Sequence, residues 1–440
     1  MEKKILRKFA KYVSLNILGM IGLSCYILAD TFFISKALGA NGLAALNFSI
    51  SIYCIIQGLG LMIGIGGATR YTILRSKNRD KEAKKVFSNA LTIGLIVSFI
   101  LAIIGLIFSR KLSQILGADT DTINMSNVYL KTILCFSPFF ISNNILLAFI
   151  RNDGDPRLSM TGMIVGSLSN IILDYIFIFP LSMGMFGAAF ATCLAPIISI
   201  GVLSIHFIKR RNNFKLELIK PNFKIVSKII SLGMSSFITE VSSGVVLMVF
   251  NLIILNISGN IGVAAYGIVA NISLVIIAIF TGIAQGMQPL VSEGYGKKNK
   301  ELMNGVLKYS IILSVFISIV IYIVANIFSK EIVAIFNSEN IAELTMLAIN
   351  GIKIYFVGFI FVGINIISAA FLSGTSNVKP AFMISMLRGF VLLIPIAYIL
   401  ANIYNMNGVW ISFVVAELLT FIVSVWKLYA DKKVMNNKDL

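Results

Sequence analysis

The most constraining feature of this sequence is an internal repeat with a spacing of about 220 residues. Residues 42–46 (GLAAL) return as 262–266 (GVAAY), and residues 108–110 (FSR) return as 328–330 (FSK). Each half also contains about six long apolar segments. A repeat of this length predicts two structurally equivalent halves. Two equivalent membrane-spanning halves are the architecture of many secondary transporters.

The composition places the chain in a membrane. Hydrophobic residues make up 58% of it and the mean hydropathy is +0.91, which is too high for a soluble protein of 440 residues. The apolar runs are long enough to cross a hydrocarbon core of about 30 Å as helices. We therefore predict an all-α integral membrane protein with twelve spans, at 12–35, 43–69, 86–108, 125–150, 158–179, 184–208, 225–254, 261–288, 302–328, 344–372, 380–401 and 407–429.

The net charge of +18 has a pattern that argues against nucleic-acid binding. Seven basic residues lie between Arg70 and Lys85 and seven between Lys209 and Lys228, whereas residues 180–184, 256–261 and 402–407 contain none. Basic residues concentrate in the cytoplasmic loops of membrane proteins. The pattern predicts a multi-pass protein of the cell membrane with both termini in the cytoplasm.

The number of spans determines how the two halves are related. Six spans per half put the start of each half on the same side of the membrane, so the repeat is parallel and its axis lies along the membrane normal. We expect an N-lobe at 1–208 (spans 1–6), a cytoplasmic linker at 209–224 and a C-lobe at 225–440 (spans 7–12). Two such lobes can alternate access to a site between them.

Ionisable side chains inside spans are costly and commonly functional. The chain places Asp30, Asp174, Glu240, Arg388 and Glu417 there. Glu240 is a candidate for attracting a cationic substrate, or it is a hydrogen-bonded structural residue. Either Glu240 or Glu417 could pair with Arg388.

The strongest group of candidates lies in the first half. Asn170 and Asp174 are four residues apart and share one helix face, Thr192 follows on the sixth span and Asp30 lies in the first. If these helices converge, two carboxylates, an amide and a hydroxyl surround one point that suits Na+ or a proton. The alternative is that these side chains only join helices through hydrogen bonds.

No enzyme motif is present. The sequence has no phosphate-binding glycine loop, no HExxH and no acid cluster beside its one histidine. We therefore expect no catalytic activity and no cofactor. The coupling ion, Na+ or H+, is the expected energy source.

Several stretches together resemble the multidrug and toxic compound extrusion (MATE) family of bacterial transporters. Each stretch is weak alone, but the set covers essentially the whole chain. The matching stretches are 30–39 (DTFFISKALG), 42–46 (GLAAL), Asn170-x-x-x-Asp174, 187–192 (GAAFAT), 286–289 (GMQP), 295–296 (YG), and Arg388 ahead of Pro395.

The resemblance implies a two-lobed antiporter that expels amphipathic organic cations, such as ethidium-like dyes, in exchange for Na+ or H+. In one branch the N-lobe holds the ion, and the matching residues here are Asp30, Asn170, Asp174 and Thr192, which would be the metal ligands if the ion is Na+. In another branch a span-seven glutamate and a span-ten aspartate hold it. This chain has Glu240 but no acid in span ten, which favours the N-lobe. The first span also lacks the proline at which some members bend.

Two further expectations concern substrates and partners. Glu240 and Arg388 are secondary candidates for contacting the substrate. The partners are small organic cations and the lipid bilayer, with no nucleic acid, and we expect a monomer. The alternative function is a flippase for lipid-linked precursors, which can share this architecture but needs a basic cavity, and Arg388 is the only base in mid-membrane.

Overall fold

The structure is a computed structural model that describes residues 2–215, 217, 220–337 and 341–437. Helices account for all of the regular secondary structure in this described part. The α-helices are α1 (Glu2–Ser76), α2 (Asp80–Ile115), α3 (Ile123–Cys135), α4 (Ser137–Asn152), α5 (Pro156–Ile178), α6 (Gly184–Leu203), α7 (Ile205–Ile208), α8 (Phe223–Gly296), α9 (Lys300–Ile327), α10 (Ser329–Phe336), α11 (Ala342–Tyr355), α12 (Phe359–Gly374), α13 (Val378–Met386) and α14 (Leu393–Asn437).

The helices supply twelve potential membrane spans. Over the residues described, nine helices are long and apolar enough to cross a membrane, or ten if α3 and α4 form one bent span. Two of them, Phe223–Gly296 and Val378–Asp431, contain non-helical residues at Gly259 and Asn405. A straight helix of 74 residues would be about 111 Å long, far longer than a bilayer is thick, so each of these two segments counts as two spans.

The internal repeat is visible in the backbone. Gly39 breaks α1 with φ 64° and ψ −155°, and Gly259 breaks α8 with φ 59° and ψ −155°. This conformation is almost restricted to glycine because a Cβ would clash with the backbone. Asn78 and Lys298, which have the same spacing, both have positive φ, at 58° and 56°. The two halves therefore turn at equivalent positions.

Within the described residues, three of the predicted spans are interrupted. The fourth bends by 50° between α3 and α4, where Pro138 removes a backbone donor. A short 3-10 turn at Phe356–Gly358 separates α11 from α12, and a π-helical turn at Leu387–Val391 separates α13 from α14. Such π-turns often occur at functional sites, and this one contains Arg388.

The chain forms two compact units. The first comprises Ser14–Val241 and Ser292–Lys297, and the second comprises Met1–Val13, Ser242–Val291 and Lys298–Leu440. The predicted boundaries at 208 and 225 stay a prediction, and residues 216, 218 and 219 of the predicted linker lie outside the described part.

Each unit includes a helix end from the other half of the sequence. In the first unit, Gly66 of α1 packs on the backbone of Ile229 at the start of α8. In the second unit, Phe9 at the start of α1 contacts Tyr309 of α9, with ring centroids 5.8 Å apart. The Tyr309 hydroxyl also donates to Glu2 Oε1 at 3.1 Å. The beginnings of the first and seventh spans thus pack in the unit formed mainly by the other half.

Candidate ion-coupling site

Small residues bring α1, α5 and α6 together in the first unit. A Cβ on Gly22 of α1 would lie 3.6 Å from Ile164 Cγ1 of α5, and one on Gly166 of α5 would lie 3.2 Å from the carbonyl oxygen of Ala195 in α6. Small residues allow such close helix packing in membranes. The polar residues of these three helices are thereby brought to one region.

Asn170 connects Asp174 to Thr192. The three side chains are almost completely buried. The Asn170 amide satisfies its neighbours best when its nitrogen donates to Asp174 Oδ2 at 3.0 Å and its oxygen accepts from the Thr192 backbone at 3.3 Å. The Thr192 hydroxyl also donates to the carbonyl of Ala188 at 3.1 Å. The predicted grouping of these side chains on α5 and α6 is therefore present in the structure.

Asp30 of α1 belongs to the same group. It is buried and lies within electrostatic range of Asp174. One oxygen of each carboxylate, Oδ1 of Asp30 and Oδ1 of Asp174, is buried without a hydrogen-bond partner among the described residues. Buried polar atoms are nearly always satisfied, so these two oxygens are available to bind something else.

The chemistry of this group favours a single positive charge. Two ionised carboxylates in a low-dielectric environment are strongly destabilised unless a cation compensates them. The described residues contain no group of three or more His, Cys, Asp and Glu side chains placed to hold a metal ion. A metal bound here would therefore also need the amide oxygen of Asn170 or the hydroxyl of Thr192, which are hard ligands suited to an alkali cation.

A chain of hydrogen bonds beside Asp30 was not predicted from the sequence. The hydroxyls of Tyr26 and Tyr53 are 2.6 Å apart, Gln57 Nε2 donates to Tyr53 at 2.7 Å, and Asn144 Nδ2 donates to Gln57 Oε1 at 2.7 Å. Tyr26 precedes Asp30 by one helical turn and shares its face. That four-residue spacing was the only signal in the sequence, and tyrosines in spans usually pack against other side chains.

Tyr129 of α3 is a second residue that sequence reasoning missed. It is buried, lies close to Thr192, and is within electrostatic range of Asp30 and Asp174. The fourth span therefore also contributes to the candidate site.

Glu240 lies in the first unit, near Tyr26. It is half-buried on α8 and within electrostatic range of Tyr26. Its turn of α8 packs on α1, because a Cβ on Gly58 would lie 3.1 Å from Phe237 Cδ2. Among the described residues the Glu240 carboxylate has no ion-pair partner.

Arg388 forms a buried ion pair in the second unit. Its Nε and Nη2 donate to Glu417 Oε1 at 3.2 and 3.0 Å, and Asn365 Nδ2 donates to Glu417 Oε2 at 2.7 Å. Ser424 completes the cluster by donating to Asn365 Oδ1 at 2.9 Å. Of the two partners considered for Arg388, the one in contact is Glu417. The positive charge of this π-turn is thus compensated.

Comparison with known proteins identifies the family. The MatE family model matches residues 16–176 and 235–399, which cover most of both halves. The chain belongs to the MatE family. This MatE protein is 26% identical over 406 residues to the multidrug export protein MepA of Staphylococcus saprophyticus, an alignment that covers 92% of the chain and 89% of MepA. The predicted membership of a bacterial MATE family is confirmed.

Solved structures show the same fold. A MOP superfamily transporter from Pyrococcus furiosus superposes with a TM-score of 0.91 at 23% identity, covering 98% of this chain and 96% of that one. A MATE protein in complex with MaL6 gives a TM-score of 0.92 at 22% identity, covering 98% and 97%. The predicted all-α membrane fold, with twelve helices in two lobes related by a parallel internal repeat, is confirmed.

Proposed function

We propose that this protein is a cation-coupled multidrug efflux antiporter that exports amphipathic organic cations in exchange for Na+ or H+. Its membership of the MatE family and its similarity to a multidrug export protein support export. The observation that carries the coupling is the pair of buried, unpartnered oxygens on Asp30 and Asp174. The proposed cycle is alternating access of the two lobes.

The coupling ion would bind between Asp30 and Asp174. One incoming Na+ or proton compensates one of the two negative charges, and the hydrogen bonds of Asn170 hold Asp174 in place. An ion drives transport only if it binds the two conformations with different affinity. We propose that this difference arises in the first unit, where three helices must stay packed to keep both carboxylates close.

The substrate would be recognised by charge and apolar area, which gives loose selectivity. Glu240 is the proposed acid for attracting the cation, because it is half-buried and has no ion-pair partner in the described part of the chain. Arg388 is the secondary candidate. Its contact with substrate would require the Glu417 ion pair to open.

The flippase alternative is less favoured by this geometry. Holding a pyrophosphate requires an uncompensated positive charge, whereas Arg388 is paired with Glu417. The remaining proposals follow from the sequence. They are a monomer in the cell membrane, both termini in the cytoplasm, and small organic cations as partners.

The first experiment is ethidium efflux from proteoliposomes that contain the full chain. An imposed Na+ gradient at fixed pH is compared with an imposed pH gradient without Na+. Acceleration by Na+ would make Asp30, Asn170, Asp174 and Thr192 its ligands, and acceleration only by the pH gradient would make Asp30 and Asp174 a protonation site. No response to either gradient would contradict the proposal.

A further inference from the structure

The turn between α4 and α5 carries an acid with an unusual number of donors. Asp153 Oδ1 accepts from the Tyr71 hydroxyl at 2.6 Å, Arg75 Nη1 at 2.6 Å and Asn213 Nδ2 at 3.0 Å. Its Oδ2 accepts from the Asn213 backbone at 2.8 Å and lies 3.0 Å from His206 Nε2. The Asp153 side chain is completely buried. This acid therefore joins α1, α7 and the segment that follows α7.

The same segment inserts an aromatic side chain into the first unit. Phe214 is fully buried, and its ring centroid lies 4.4 Å from that of Phe87, 5.6 Å from that of Phe149 and 5.8 Å from that of Tyr71. Asn213 and Phe214 are consecutive, so the segment is held at this point both by hydrogen bonds to Asp153 and by aromatic packing.

Two residues near the start of α2 hold the segment further along. The Ser88 hydroxyl donates to the carbonyl of Lys215 at 3.3 Å and accepts from the backbone of Glu217 at 2.9 Å. Asn89 Oδ1 accepts from the backbone of Asn222 at 2.7 Å. The described residues between 213 and 222 are therefore bound to the first unit at both ends.

We propose that the described residues of this segment (209–215, 217 and 220–224) form a strap that is fixed on the first unit, with Asp153 as the positioning residue that holds it. A charged segment between two repeats would ordinarily act as a flexible tether. Here its backbone amides are used by Asp153, Ser88 and Asn89, so the strap moves as part of the first unit. This inference does not depend on the proposed transport function.

The charged residues around Asp153 indicate which variant can serve as a control for Asp153→Asn. Arg75 is the cationic partner of Asp153, and His206 is a buried hydrogen-bonding neighbour. Arg211 Nη1 lies 3.4 Å from Asp155 Oδ2. Asp155 belongs to the same turn, but its recorded contacts are with Leu158, Arg211 and, at 3.9 Å, His206 Nδ1. Asp155→Asn is therefore a matched control, since it changes one charge in the same turn without touching Asn213.

The test is hydrogen exchange of the full chain in nanodiscs. In the wild type we expect the amides of Asn213, Glu217 and Asn222 to exchange much more slowly than amides of an unfolded peptide. Asp153→Asn should accelerate exchange at Asn213 on the order of ten- to a hundredfold, since a charged hydrogen bond is lost. Asp155→Asn should leave it unchanged.

Two results would contradict the proposal that this segment is fixed on the first unit. One is wild-type exchange at Asn213 as fast as in an unfolded peptide, and the other is an equal response to Asp153→Asn and Asp155→Asn. If Asp153→Asn does not fold, Phe214→Ala provides a second route, because loss of that anchor should accelerate trypsin cleavage after Lys215. Unchanged cleavage of Phe214→Ala would contradict the proposal.

Discussion

The two halves of this protein share a backbone and differ in where they place charge. Gly39 and Gly259 turn the chain with nearly the same angles. Nine residues before each turn, however, the first half has Asp30 and the second has Phe250, which is fully buried and stacks on Tyr266. The repeat thus reproduces the fold, while the candidate ion chemistry is present in only one copy.

The buried carboxylates of the two halves also differ in whether a protein group compensates their charge. In the first, Asp30 and Asp174 each keep a buried oxygen without a partner in the described chain. In the second, Glu417 is bound on both oxygens, by Arg388 and Asn365. A buried carboxylate with a permanent partner stabilises a structure, whereas one without a partner is suited to an exchangeable ion.

The largest expected effect is on coupling. Asp174→Asn should lower ion-driven ethidium efflux about a hundredfold or more, to the background of empty vesicles, because it removes one of the two carboxylates proposed to bind the coupling ion. Asp121→Asn, in the exposed α2–α3 loop, is the control and should transport like wild type. Undiminished efflux by Asp174→Asn would contradict the proposal that the coupling ion binds in the first half.

The second half should respond in stability instead. Glu417→Gln leaves the Arg388 charge without its carboxylate and should reduce the free energy of unfolding by about 3–5 kcal/mol. The double variant Arg388→Met with Glu417→Leu removes both charges and should recover part of that loss. Thermal unfolding in detergent measures both. A normal melting temperature for Glu417→Gln would show that the pair does not stabilise the fold.

The shared backbone predicts equal effects at the two turns. Gly39→Ala and Gly259→Ala should each cost about 1–3 kcal/mol, because each Ala would be forced into a conformation that only glycine adopts easily. Apart from the local backbone, a Cβ would meet no atom within 4 Å at either position, so strain of that local backbone is the expected cost. Unequal losses in thermal unfolding would break the structural equivalence.

Glu240 is an acid that is present in the second half and absent from the first. Its counterpart in the first half, residue 20, is methionine. Glu240→Gln should slow export of cationic substrates about three- to tenfold, corresponding to roughly 1 kcal/mol, and leave neutral substrates unaffected. Efflux of matched cationic and neutral dyes measures the difference. The same loss for both dyes would indicate a structural role.

The smallest effect concerns the pH dependence of the strap. Burial raises the pKa of Asp153, but hydrogen bonds from His206, Tyr71 and Asn213 outweigh it and bring the pKa below its ordinary value of 3.8. The contribution to stability is therefore fully present above about pH 4 and is lost as the pH falls through the lower pKa. Strap protection in hydrogen exchange should not change between pH 8 and pH 5. A loss of protection anywhere between pH 8 and pH 5 would contradict the assignment to Asp153.

Much of this organisation could be predicted from the sequence. Apolar runs and the spacing of the repeat indicated twelve spans, and the cost of burying acids singled out Asp30 and Asp174. The four-residue spacing of Asn170 and Asp174 predicted their shared face. These features depend on helical periodicity and on bilayer thickness, which act locally along the chain.

The remaining features depend on contacts between distant segments. The hydrogen bond between Tyr26 and Tyr53 joins residues 27 positions apart, and tyrosine has no pattern that separates packing from hydrogen bonding. The π-turn at Arg388 and the binding of Asn213 to Asp153 likewise arise from tertiary partners. Charged residues in 209–224 predicted a linker, but its composition gives no sign that the backbone is bound.

The beginnings of α1 and α8 each belong to the unit formed mainly by the other half, which has a consequence if the chain is divided into two fragments. Residues up to Val13 belong to the second unit, and the beginning of α8 up to Val241 belongs to the first. An N-terminal fragment that ends within the strap would contain the residues up to Val13, which the C-terminal fragment needs to complete the second unit. The same fragment would lack the beginning of α8, which completes the first unit. Expressed separately, the fragments should be degraded, whereas co-expression should restore both.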